Sequence, residues 1–220
     1  MNHLRLPLLD QETCENLLEK LAQEAEWQDG SLTAGAHAKG GKRNLQIIYD
    51  SPLRKDIHER VEHAMWNHPV VKGFCLPRKL HRFLITKTEK EGGYDTHVDN
   101  AYMSSGRSDL SFTLSLTDDT RYEGGELEID SISESFPIRL KQGEIVIYPS
   151  TSLHRVCTVT RGVRTVCVGW IESYVQAEND RLCLFQLESG ARAVLAKHGR
   201  SDELDLIFLA YTNLLRRLGG

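Results

Sequence analysis

Apolar and polar residues alternate without a break from Leu110 to Thr117, where Leu110, Phe112, Leu114 and Leu116 are separated by Ser111, Thr113, Ser115 and Thr117. Successive side chains of a strand point to opposite faces, so this run predicts a β-strand with one buried face. Shorter stretches with strand character lie at 81–86, 126–130, 136–140, 144–148 and 164–171, broken by Gly124-Gly125, Gly143 and Pro149. Many short strands with turn signals between them, over residues 79–175, predict a sandwich or a jelly roll.

On either side of this region the period changes. Cys14, Leu17, Leu18, Leu21 and Ala25 recur at helical spacing behind Asp10, a good N-cap, and predict a helix over 10–26. Ser51-Pro52 opens a second helix over 51–67, with Ile57, Val61, Ala64 and Met65 as its apolar stripe and an end before Pro69. Downstream, Leu182, Phe185 and Leu187 point to one helix, and Leu206, Ile207, Ala210, Leu214 and Leu218 to another that begins near Ser201. The class expected is therefore α+β, mainly β, with one domain over 1–175 and a C-terminal helical extension over 176–220. That extension would form a homodimer interface or brace the barrel.

Two segments carry less than they first suggest. Residues 35–42 are too rich in glycine for regular structure and are expected to form a mobile loop. A phosphate-binding loop is not expected there, because Gly41 follows Gly40 and Arg43 follows Lys42 where the G-x-x-x-x-G-K-[ST] spacing needs otherwise. His58, His63 and His68 fall five apart on the second helix, off one another's face, and are expected to be solvated.

A net charge of −4 with no basic run excludes a general nucleic-acid binder. The five cysteines, Cys14, Cys75, Cys157, Cys167 and Cys183, are odd in number and never form C-x-x-C, as expected for reduced thiols in a cytoplasmic protein. The amino terminus has no basic, apolar leader, and no apolar stretch is long enough to cross a bilayer.

The candidate chemistry lies around His97, Asp99 and His154. Two positions apart in a strand, His97 and Asp99 would share a face, and with His154 they would place two imidazoles and one carboxylate around a single ion. Such a set leaves coordination positions open and suits non-haem Fe(II). The competing reading makes them ordinary half-buried histidines and a turn aspartate. Arg164 heads the apolar alternation Val166, Val168, Trp170, and a guanidinium on a core-facing strand needs an anion. That anion is either a dicarboxylate co-substrate such as 2-oxoglutarate, held in a bidentate fork, or a structural partner, Glu126 or Glu144.

The segments 94–101 (YDTHVDNA), 107–111 (RSDLS), 122–127 (YEGGEL), 148–156 (YPSTSLHRV) and 159–164 (VTRGVR) together resemble the PKHD-type hydroxylases, bacterial relatives of the prolyl and lysyl hydroxylases. The resemblance extends over nearly the whole chain. It implies a double-stranded β-helix (jelly-roll) core with helices packed around it, Fe(2+) held by His97, Asp99 and His154, and 2-oxoglutarate held by Arg164. It also implies L-ascorbate as a supporting reductant. The activity implied is hydroxylation by O2 of an unactivated C–H bond in a small-molecule or peptidyl substrate, with succinate and CO2 as co-products and a link to iron uptake. One departure bears on the co-substrate: the family usually reads Asn-Arg-Tyr where this chain has His81-Arg82-Phe83, which removes a tyrosine hydroxyl. The segment 89–93 departs as well. Asn100 and Tyr102 are candidate substrate contacts, and the loops at 36–42 and 100–107 are placed to close over the site. Two other functions use the same residues: a non-catalytic metal- or 2-oxoglutarate-binding sensor, and a zinc hydrolase.

Overall fold

The strand expected from the Leu110–Thr117 alternation forms, yet both of its faces are buried. The computed structural model describes residues 3–35, 39–81, 83–130 and 135–220. In chain order the elements are β1 (Leu4–Pro7), α1 (Gln11–Glu24), β2 (Trp27–Asp29), β3 (Lys42–Arg43), β4 (Leu45–Ile47), α2 (Pro52–Asn67), α3 (Pro69–Cys75) and β5 (Pro77–Leu80). They continue as β6 (Leu84–Thr88), β7 (Gly93–His97), β8 (Tyr102–Met103), β9 (Gly106–Arg107), β10 (Leu110–Ser115), β11 (Tyr122–Gly124), β12 (Leu127–Asp130) and β13 (Ser135–Ile138). The chain ends with β14 (Glu144–Pro149), β15 (His154–Val156), β16 (Val159–Gly162), β17 (Arg164–Ser173), α4 (Glu178–His198) and α5 (Asp202–Leu218).

Two antiparallel sheets make the jelly-roll core. The larger runs β1-β14-β10-β17-β6-β4-β2, with β5 added on β17, and the smaller runs β13-β12-β15-β7-β3. On the outer face of the larger sheet, Phe112, Leu114, Ile145, Ile147 and Cys167 pack against Cys14, Leu17 and Leu21 of α1 and Ile57, Val61 and Met65 of α2. Each fully buried leucine or isoleucine there stabilises the fold by about 1.5–3 kcal/mol. The inner face carries Ser111, Thr113, Thr86, Val166, Val168 and Trp170, which line a cavity between the sheets. Ser111 and Thr113, two of the four polar positions of the alternation, therefore border an internal chamber. Leu127, Ile138, Leu140, Val146 and Tyr148 form a second apolar cluster that joins the two sheets.

Helix boundaries follow their caps. Asp10 accepts from the Thr13 amide at 2.7 Å and opens α1, and Ser201 accepts from the Leu204 amide at 3.3 Å and opens α5. The second helix ends at Asn67, before Pro69 as expected, and Pro69 opens a further short helix, α3. His68 closes α2 and caps α3, its Nδ1 accepting from the Val71 amide at 3.4 Å. His58 lies against the Phe83 ring, 4.2 Å between centroids. Two of the three histidines expected to be solvated are thus half-buried structural groups, and His63 alone is exposed.

The glycine-rich segment is more ordered than expected at its carboxyl end, where Lys39–Gly41 is a 3-10 turn and Lys42 begins β3. Residues 36–38 of that predicted loop lie outside the described residues. The strands β1, β2 and β4 escaped notice because three or four residues show too little alternation. At the carboxyl end α4 packs on α3 through an edge contact between Phe185 and Phe74, and Leu184, Tyr211, Leu215 and Leu218 close over Leu76 and Val175. All five cysteines are free thiols. Among the described residues no helix is long and apolar enough to cross a membrane.

Candidate active site

The smaller sheet places the candidate ligands by its register. His154 pairs with His97, and Val156 pairs with Tyr94, so two steps along β15 answer three along β7. That bulge puts Tyr94 and His97 on one face, and their rings stack with centroids 3.6 Å apart. The His97 and His154 rings lie with centroids 4.2 Å apart, tilted by 53°. Asp99 lies beyond the end of β7, so the expected sharing of a face within one strand is not how it arrives. It is turned inward from the loop and tied to the opposite sheet, where its Oδ2 accepts from Ser111 Oγ at 2.6 Å.

Both imidazoles are oriented by their own backbone. His97 Nδ1 lies 2.8 Å from the Asp95 carbonyl and His154 Nδ1 lies 3.0 Å from the Ser152 carbonyl. A proton on each Nδ1 satisfies those carbonyls and leaves each Nε2 with a free lone pair, the arrangement a metal-binding histidine needs. His154 Nε2 is 3.8 Å from Asp99 Oδ2, and one donor atom from each of the three residues lies within 4.8 Å of the others. Burial, and then the neighbouring His154, push the His97 pKa down, which keeps that ring neutral and able to ligate. Two imidazoles and a carboxylate, held this close with few other partners, suit a divalent cation.

Arg164 begins β17 and is 5% exposed. Burial lowers the pKa of its guanidinium, against the opposing pull of Tyr122, Tyr148 and Glu126. Neither expected carboxylate pairs with it: Glu126 is taken by Arg139 at 2.8 Å, and Glu144 by Arg5. Among the described residues no carboxylate stands within ion-pairing distance of Arg164. Gly125, at φ +69°, allows the approach, because a Cβ there would stand 2.9 Å from Arg164 Cδ.

The chamber has a volume of about 450 Å³, and His97, Asp99, His154 and Arg164 all border it. Asn100 borders it too, whereas Tyr102 sits on the β8–β9 hairpin and is 69% exposed. Phe83 faces the other way, fully buried in an edge contact with Phe112 in the helix-side core. Arg82 lies outside the described residues. Ser111, Tyr122, Tyr148 and Lys42 are the site groups that sequence reasoning did not single out. For Ser111 the signal was present, since it occupies the polar side of the clearest alternation in the chain.

Comparison with known proteins agrees with this architecture. The 2OG-Fe(II) oxygenase superfamily matches residues 80–172. A PKHD-type hydroxylase of Synechococcus sp. (strain CC9311) is 90% identical over all of both chains, and one of Prochlorococcus marinus (strain MIT 9313) is 53% identical over the same span. Among solved structures, a viral collagen prolyl hydroxylase from Paramecium Bursaria Chlorella virus-1 aligns with TM-score 0.56 at 14% identity, covering 79% of this chain and 97% of its own. A prolyl hydroxylase from Trichoplax adhaerens aligns with TM-score 0.59 at 13% identity, covering 83% of this chain and 86% of its own. These two share the jelly-roll fold.

Proposed function

Because the chain belongs to the PKHD-type hydroxylases, enzymes of the 2OG-Fe(II) oxygenase superfamily, we propose that His97, Asp99 and His154 hold its Fe(II) and that Arg164 binds the distal carboxylate of 2-oxoglutarate. One observation carries this reading: three donor atoms that converge within 4.8 Å border the same chamber as a buried guanidinium for which the described residues offer no carboxylate. When bound, Fe(II) supplies O2 activation, so that one oxygen atom enters succinate as 2-oxoglutarate loses CO2 and the other enters a substrate C–H bond.

The side chains supply binding, orientation and exclusion of water. The backbone carbonyls of Asp95 and Ser152 hold the two imidazoles in one tautomer, and Ser111 holds the carboxylate. Ser111 is held in turn by Ser150, whose Oγ lies 2.8 Å away and accepts from Ser108 Oγ at 2.9 Å. Arg164 fixes one end of the co-substrate. The apolar side chains Val156, Val166, Val168 and Trp170 keep the reacting region dry. The prime substrate is a small molecule, an iron chelator among the candidates, or a peptidyl side chain, and L-ascorbate serves as reductant between turnovers.

The test is turnover. Protein loaded with Fe(II) without oxygen, then given 2-oxoglutarate and O2, should form succinate even without prime substrate, and His97→Ala or Asp99→Ala should abolish it. Wild-type protein that binds 2-oxoglutarate but never forms succinate would be a sensor, and the catalytic reading would be wrong.

A further inference from the structure

Lys42 is buried, at 9% exposure, and its ammonium enters the same chamber as the metal-facing imidazoles. It stands at the end of an inward-facing row across the smaller sheet, Leu127–Val156–Tyr94–Lys42. Its Nζ lies 5.2 Å from the centroid of the Tyr94 ring, the ring that stacks on His97. One N–H donates to Thr33 Oγ1 at 3.1 Å, and Thr33 spends its own hydrogen on Gln46 Oε1 at 2.8 Å or the Gly30 carbonyl at 3.1 Å. Thr33 therefore positions the ammonium without neutralising it. Among the described residues no carboxylate lies within ion-pairing distance of Lys42. Burial draws its pKa down to about 8, with Asp99 and Asp29 opposing, so the amine keeps its charge at neutral pH.

A buried ammonium without an anion is costly, and the reading above already gives the chamber's other cation, Arg164, to 2-oxoglutarate. We propose that Lys42 binds a carboxylate of the prime substrate. This rests on the reading of the site as an Fe(II) and 2-oxoglutarate centre, and it narrows the substrate to one that carries a free carboxylate. A single ammonium backed by one hydroxyl matches a monoanion, whereas a phosphate calls for more donors or a guanidinium fork.

The experiment uses Mn(II)-loaded protein saturated with 2-oxoglutarate, with propionate as probe and propionamide as its uncharged counterpart. Relaxation of the probe protons by Mn(II) reports binding in the chamber, and Zn(II)-loaded protein is the diamagnetic blank. Propionate should relax saturably, and propionamide should bind more weakly by about ten-fold or more, the worth of one charge-assisted contact. K42M and K42Q should weaken propionate by about the same factor while 2-oxoglutarate affinity stays within about two-fold, and K42R should restore most of the loss. Equal binding of propionate and propionamide, wild-type propionate binding in K42M or K42Q, or an equal loss of 2-oxoglutarate affinity would overturn the assignment. If 2-oxoglutarate itself fails to bind the Mn(II)-loaded protein, the reading of the centre falls and this inference with it. If it binds and propionate does not, the inference alone falls.

Discussion

Ser111 Oγ donates to Asp99 Oδ2 at 2.6 Å, so the larger sheet holds the carboxylate that completes a cluster otherwise built on the smaller one. The contact joins the two halves of the jelly roll at the centre of the chamber. It also fixes the orientation of the Asp99 carboxylate, as a metal ligand needs.

Ser111→Ala should therefore weaken metal binding by roughly ten- to a hundred-fold, the usual effect of losing a hydrogen bond behind a ligand. Mn(II) titration followed by electron paramagnetic resonance measures it. At saturating metal, 2-oxoglutarate affinity should be close to that of the wild type.

Gly125→Ala should cost about 1–3 kcal/mol in stability, because alanine is strained at positive φ. Its methyl group would also crowd Arg164 Cδ, which stands 2.9 Å from the Cβ position, so co-substrate affinity should fall as well. Urea denaturation and calorimetry read the two effects separately.

Gly169→Ala should behave differently. A Cβ at Gly169 would meet the Phe112 ring at 2.7 Å and the Phe83 ring at 2.8 Å on the helix-side face of β17, away from the ligands. Overpacking of about 1–3 kcal/mol is expected, with 2-oxoglutarate affinity retained. A loss of affinity equal to that of Gly125→Ala would mean that the two faces of the sheet are not independent.

Removing the metal should lower thermal stability. At a hundred-fold excess of metal over its dissociation constant, binding adds about 2.7 kcal/mol, or roughly 5–10 °C in a chain of this size. A chelator should reverse the shift in the wild type and have no effect on His154→Ala.

Much of this fold was legible in periodicity. The Leu110–Leu116 alternation, the caps at Asp10 and Ser201 and the stripe Ile57–Val61–Met65 each record a local rule that packing did not override. What periodicity could not show was the destination of the polar face: Ser111 and Thr113 look like surface residues until a second sheet encloses them. Spacing brought His97, Asp99, His154 and Arg164 to notice as chemical types, but not the bulge that swings Tyr94 beside His97, nor the pairing of His97 with His154. Lys42 was passed over because glycines surround it in sequence. Its burial depends on β3 pairing with β7, and that contact has no local signature. Phe83, by contrast, was legible as a packing residue from its apolar ring, and it is buried against Phe112 just ahead of β6.

The central claim is that Arg164 and the three-residue cluster form one co-substrate site, and calorimetry of 2-oxoglutarate binding under anaerobic conditions tests it most directly. The account predicts one 2-oxoglutarate per chain, bound only when Fe(II) or Mn(II) is present, with affinity reduced by at least about ten-fold in Arg164→Met. Binding of equal strength without metal, or unchanged binding in Arg164→Met, would contradict it.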